Sequence, residues 1–143
     1  MAITQGMATS FKVQILNGLQ NFSSNTFKIA LYQSTATLGE TTTAYSATDE
    51  CPSTGNYTAG GNTLTVNVTP TSSGNVAYVS FANTTWANAT ITANGALIYN
   101  NTYGNAAVAV LAFGGDKTST NGDFTINFPT ADASSAIIRL TAS

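Results

Sequence analysis

The sequence predicts a mainly β protein: a single-domain antiparallel β-sandwich, jelly-roll-like, with one short N-terminal helix. Three observations carry this. Apolar and polar residues alternate along most of the chain, which is the period of a strand. The alternating segments are short, rich in β-branched and aromatic residues, and bounded by Gly, Asn, Asp and Pro. The length of 143 residues is one domain's worth and is enough to bury a real core. Residues 1–22 are expected to form a helix-bearing arm. Residues 25–143 form the sandwich, with a long loop at 33–61. The chain shows no repeat of fixed period, no heptads and no second domain.

The helix is read from "TSFKVQILNGLQNF", where Phe11, Ile15, Leu16 and Leu19 follow helical spacing. Thr9 or Ser10 is the expected cap, and Asn17-Gly18 the stop. At about three turns this helix needs packing to persist. The period then becomes two. In "NTFKIALY", Phe27, Ile29 and Leu31 share a face; in "TLTVNV", Leu64, Val66 and Val68 do so. "NVAYVSF" and "TWANATITA" follow. "GALIYN" and "AAVAVLAF" carry apolar or small residues on both faces, as strands covered on two sides would. "DFTINF" turns Phe124, Ile126 and Phe128 inward, and "SAIIRL" closes a count of about eight strands. "PTSSGN" and "NNTYGN" are expected links, the second a hairpin, and "GGDKTSTNG" a slightly longer hairpin loop. The loop at 33–61, rich in Thr, Ser, Gly and Tyr, is longer than a connection needs to be, and such loops are often functional.

Charged residues make up 7% of the chain, against roughly 25% in an average soluble domain. Thr, Ser, Asn and Gly must therefore cover the surface, and long-range steering of charged partners is not its mode of action. Nucleic-acid binding needs clustered cations, whereas Lys12, Lys28, Lys117 and Arg139 are scattered. Neutral polar surface costs less to desolvate than charged surface, so it suits a protein that lies against neighbours; it also suits a secreted-type β protein with a Thr/Asn coat. No stretch approaches the length of a membrane span. "MAITQGMATSFK" lacks the basic-then-apolar order of a signal peptide, which predicts folding in a cytoplasm. The recurring N-x-S/T triplets, as at Asn21 and Asn56, arise from composition.

Little in the chain points to chemistry. There is no histidine, so Cys51 lacks the usual partner of a catalytic thiol and reads as a passive loop or edge thiol. The acids Glu40, Asp49, Glu50, Asp116, Asp123 and Asp132 fall at expected turns and loop ends. Asp49 and Glu50 are adjacent and would point to opposite sides, a poor carboxylate pair for glycoside hydrolysis. Zinc has too few ligands, and "GGDKTSTNGD" lacks the spacing of a calcium loop. No catalytic residue, metal site or cofactor is expected. "AGG" and "FGG" are turn glycines, since no Gly-Lys-Ser/Thr follows. Tyr45, Tyr57 and Tyr103 fall in loops, where they stack on a sugar or a protein partner or pack on their own sandwich. Trp86 reads as core.

The segments "MAITQGMATSFKVQILNGLQNF", "TFKIALYQSTATLGETTTAYS", "YTAGGNTL", "WANATITANGALIYN", "AVAVLAFGGDKTSTNGDFTINFP" and the closing "AIIRL" resemble a family of small virion structural proteins of tailed phages. The resemblance covers about nine tenths of the chain. It implies a virion component without catalytic or cofactor residues, akin to capsid cement or decoration proteins of β-sandwich or jelly-roll fold. On that reading the chain binds and stabilises the capsid shell from its exterior after synthesis in the host bacterial cytoplasm. Its partner is the major capsid protein, and it forms a homo-oligomer. No nucleic acid or membrane is involved. The residues expected at the capsid or partner contact are Met7, Phe11 and Ile15 in the arm and Tyr45, Tyr57 and Tyr103 in loops. The alternative is a tail or fibre component that grips a host glycan through its loop tyrosines.

Overall fold

The computed structural model describes residues 2–141. In chain order the elements are β1 (Gly6–Met7), α1 (Thr9–Leu16), β2 (Phe27–Tyr32), β3 (Asn62–Thr63), β4 (Val66–Ser73), β5 (Val76–Phe81), β6 (Thr84–Asn100), β7 (Ala106–Ile126) and β8 (Ile138–Leu140). They build two antiparallel sheets, ordered β1-β7-β6-β2-β3 and β4-β5-β8. The mainly β class, the paired sheets and the single short N-terminal helix are those the sequence predicts.

The helix ends as expected and starts differently. Its cap is Ala8, with no side-chain hydrogen bond, and Thr9 and Ser10 lie inside the first turn. The Ser10 hydroxyl is buried there without a partner. Sheet pairing sets the start: Ala8 is fully buried, its N–H donates to Val108 O at 2.9 Å, and the Thr9 N–H donates to Glu40 O. At the other end Gly18 takes φ +72°, the Gly18 N–H bonds Ile15 O, and the Leu19 N–H bonds Gln14 O. These paired bonds satisfy the last carbonyls of the helix.

The core sits where β2, β6 and β7 lie side by side. β2 pairs with the second half of β6 in the register Ile29↔Ile98 and Leu31↔Ala96. Residues 95–100 and 106–110 are all buried, as expected of strands covered on both faces. Phe27 marks one face: it stacks on Phe22 with centroids 4.4 Å apart, and Phe81 lies 5.9 Å from it. Phe11 meets Phe22 edge-on, which docks α1 on this cluster. Tyr99, paired with Lys28, marks the opposite face.

Two loop expectations are corrected. "GGDKTSTNG" is not a hairpin loop; β7 runs through it and stays paired with β6 along 17 and 21 residues respectively. The glycines do interrupt the ladder, but as a bulge. Ala93 pairs with Lys117 and Gly95 with Ala112, so β7 carries the excess residues around Gly114 and Gly115. "PTSSGN" also shrinks: Pro70–Ser73 belong to β4, and Gly74-Asn75 alone turn the chain into β5. Pro70 is tolerated because β4 is an edge strand.

Candidate functional site

The long loop at 33–61 is the most organised irregular segment. It leaves β2, reaches the edge of β7, where the Ala107 N–H donates to Thr43 O and the Tyr45 N–H to Asn105 O, and then returns. Back at β2, the Cys51 N–H donates to Leu31 O and the Gln33 N–H to Asp49 O. The loop thus crosses the sheet, and Tyr45 stacks on Tyr99 on the way, centroids 4.7 Å apart. Side chains of its next stretch then cover the free edge of β6. Cys51 Sγ, Thr54 Oγ1 and Asn56 Nδ2 donate to the carbonyls of Thr92, Thr90 and Ala87. A protein with few edge charges protects this edge from within.

Glu50 holds the loop down. Its residue is 7% exposed. One carboxylate oxygen accepts from the Tyr57 hydroxyl and the Gly60 N–H, both at 2.7 Å, and the other accepts from the Tyr45 hydroxyl at 2.6 Å. The Tyr57 oxygen in turn accepts the Leu31 N–H, and the Tyr99 hydroxyl donates to Gly60 O. Burial, with the Glu50 charge adding to it, pushes the Tyr99 hydroxyl up to about 12. The same causes, with a hydrogen bond to Glu50, raise Tyr57 well above the usual tyrosine value. Burial first and Glu50 second push the Cys51 thiol up to about 12, so it is a poor nucleophile. Every acceptor direction engaged here serves the fold. The group is a pin, with no bound molecule needed to complete it.

The six residues expected at a partner contact are scattered. Phe11 is fully buried in the aromatic cluster, because its side chain is what docks α1. Tyr57 is 1% exposed and spent on Glu50. Tyr45 is half-buried in the same network. Met7 is half-buried in β1, paired with Ala109 of β7, so the N-terminal arm is part of the sheet. Ile15 is half-buried at the lip of a groove. Tyr103 alone is exposed, at the tip of the β6–β7 hairpin. There the fully buried Asn100 side chain accepts the Thr102 and Tyr103 N–H groups and donates to Gln20 and Asn25.

The structure exposes other apolar residues. Leu16 is 87% exposed, and Val13, Leu19 and Leu140 are also exposed. Leu140 lines a groove of about 380 Å³ between the end of α1 and the β5–β8 pair, together with Ile15, Phe22, Pro70, Tyr78 and Ile138. Val13 and Leu16 lie on the side of α1 turned away from Phe11. The signal was in the sequence: apolar residues at 11, 13, 15 and 16 go round the helix instead of forming one stripe. Among the described residues no group of three Cys, Asp or Glu side chains could hold a metal ion, and no helix is long and apolar enough to cross a membrane.

Comparison of the chain with protein-family models, with curated proteins and with solved structures found no match.

Proposed function

We propose that this chain is a non-enzymatic structural protein of a tailed-phage virion, which binds the capsid shell and stabilises it. The observation that carries the reading is the exposure of the apolar residues Val13, Leu16, Leu19 and Leu140, the last of them lining an apolar groove. A nearly ion-free surface with such residues exposed loses little on desolvation and gains on contact with another protein surface. Repetition over a shell multiplies modest contacts into avidity. The buried carboxylate supports the non-enzymatic part, because Glu50 accepts three hydrogen bonds from its own chain. The partner in this reading is the major capsid protein, and the contact lies one helix face away from the one expected from Phe11.

The test is association with particles. Leu16→Asp and Leu19→Asp should leave the far-ultraviolet spectrum and melting temperature of the free protein intact and abolish its recovery on purified particles. Particles lacking the protein should break at lower temperature and under milder osmotic shock. Undiminished recovery of both variants would remove the proposed contact. A few copies per particle, with binding on a glycan array lost in Tyr103→Ala, would favour the tail or fibre alternative.

A further inference from the structure

The chain contains three Asn-Gly pairs: Asn17-Gly18, Asn94-Gly95 and Asn121-Gly122. This dipeptide can modify itself. The glycine amide nitrogen, on losing its proton to base, attacks the asparagine side-chain carbonyl carbon. A C–N bond forms, the bond to the side-chain nitrogen breaks, and ammonia leaves. Water then opens the resulting five-membered imide at either carbonyl, giving aspartate or isoaspartate. No oxidant or reductant is involved. The step needs a side chain free to swing onto the next peptide and room for the ring.

The fold withholds a free attacking nitrogen from one pair, and both the free side chain and the room from another. At Asn17 the attacking nitrogen is engaged, since the Gly18 N–H donates to Ile15 O at 3.0 Å within the helix stop. At Asn94 the side-chain amide donates to Asp116 Oδ1 at 2.9 Å. Gly95 is buried against β7, where a Cβ would lie 2.6 Å from Leu111 O, so a ring has no space.

Asn121 differs. Gly122 pairs with Ala89 and Ser119 with Ile91, so Thr120 and Asn121 together face Thr90 alone. Asn121 is an extra residue of a bulge, exposed, at φ +47°. Its N–H goes to the Thr90 hydroxyl and not to the ladder. The nearest atom to a Cβ on Gly122 is Thr120 O at 3.6 Å, an ordinary contact. We propose that Asn121-Gly122 is a self-modification site, converting to aspartate and isoaspartate in the folded protein while the other two pairs stay intact. The product places a second carboxylate two residues from Asp123 and makes the net charge of −2 more negative by one.

The experiment is peptide mapping by mass spectrometry after incubation of the full chain at mildly alkaline pH, folded and in urea. In the folded protein Asn121 should convert first, with Asn17 and Asn94 at least about tenfold slower, a factor equal to ~1.4 kcal/mol of barrier. In urea the three rates should converge. Gly122→Ala, which the local space admits, should slow conversion at position 121 in the folded chain while its melting temperature stays close to that of the parent. Folded protein that converts at Asn17 or Asn94 as fast as at Asn121 would overturn the proposal. So would Asn121 that stays intact after the urea sample has converted.

Discussion

The Tyr57 hydroxyl donates to the Glu50 carboxylate at 2.7 Å and at the same oxygen accepts the Leu31 N–H at 2.9 Å. One side chain thereby joins the buried acid of the long loop to the backbone of β2 at the point where its short partner β3 has ended. The loop is as much a part of the sheet as the strands are.

Removing the acid should be costly. Glu50→Ala leaves the Tyr57 and Tyr45 hydroxyls and the Gly60 N–H without their acceptor. Each buried group left unpaired costs about 1–3 kcal/mol. The urea midpoint should fall by several kcal/mol equivalent with little change in the slope. Glu50→Gln keeps one acceptor oxygen and should lose much less.

Tyr57→Phe removes a donor to Glu50 and an acceptor for Leu31 in one change, with the ring still packed 5.7 Å from Trp86. A loss of about 1–3 kcal/mol is expected. Combined with Glu50→Gln the losses should not add, because both report the same bond. Additive losses in denaturation curves would mean that the two residues act independently.

Gly61 and Gly18 have nearly equal φ, +74° and +72°, and should respond differently to alanine. At Gly61 a Cβ would fall on Ile29 O, the β2 carbonyl beside it, and would force the strand edge apart. At Gly18 nothing lies within 4 Å, so only the left-handed conformation is penalised, about 1 kcal/mol. Gly18→Ala should fold with a slightly lower melting temperature, whereas Gly61→Ala should yield little soluble protein.

Stability should fall in alkali. Burial raises Tyr57 and Tyr32 above the ordinary tyrosine value near 10 and holds Tyr99 at about 12; the Cys51 thiol is also held at about 12. Groups whose folded pKa is raised and whose charged form is the deprotonated one contribute fully below the unfolded value. That contribution is lost as pH rises through the folded one. The unfolded chain therefore releases protons first, and the urea midpoint should drop between about pH 9 and 12. Tyrosinate absorbance from the buried ring cluster should appear with unfolding, not before it. A flat midpoint across this range would show that these hydroxyls ionise in place.

By itself the sequence determined what neighbours along the chain decide. Alternation placed Phe27, Ile29 and Leu31 on one face, the two-sided apolar runs of β6 and β7 in the centre, and the helix stop at Asn17-Gly18, because side-chain direction and turn geometry are local properties. The tertiary structure alone decided what distant segments supply. Ala8 took the helix start because Val108 holds its N–H. Gly114 and Gly115 became a bulge because β6 continues beside them. Tyr57 went inside and Tyr103 stayed out, although both looked like loop tyrosines, because only Tyr57 meets Glu50 and β2. Contacts made where an irregular loop folds back on itself and onto β2 leave no periodic trace, so the buried acid emerges only when the sheets close.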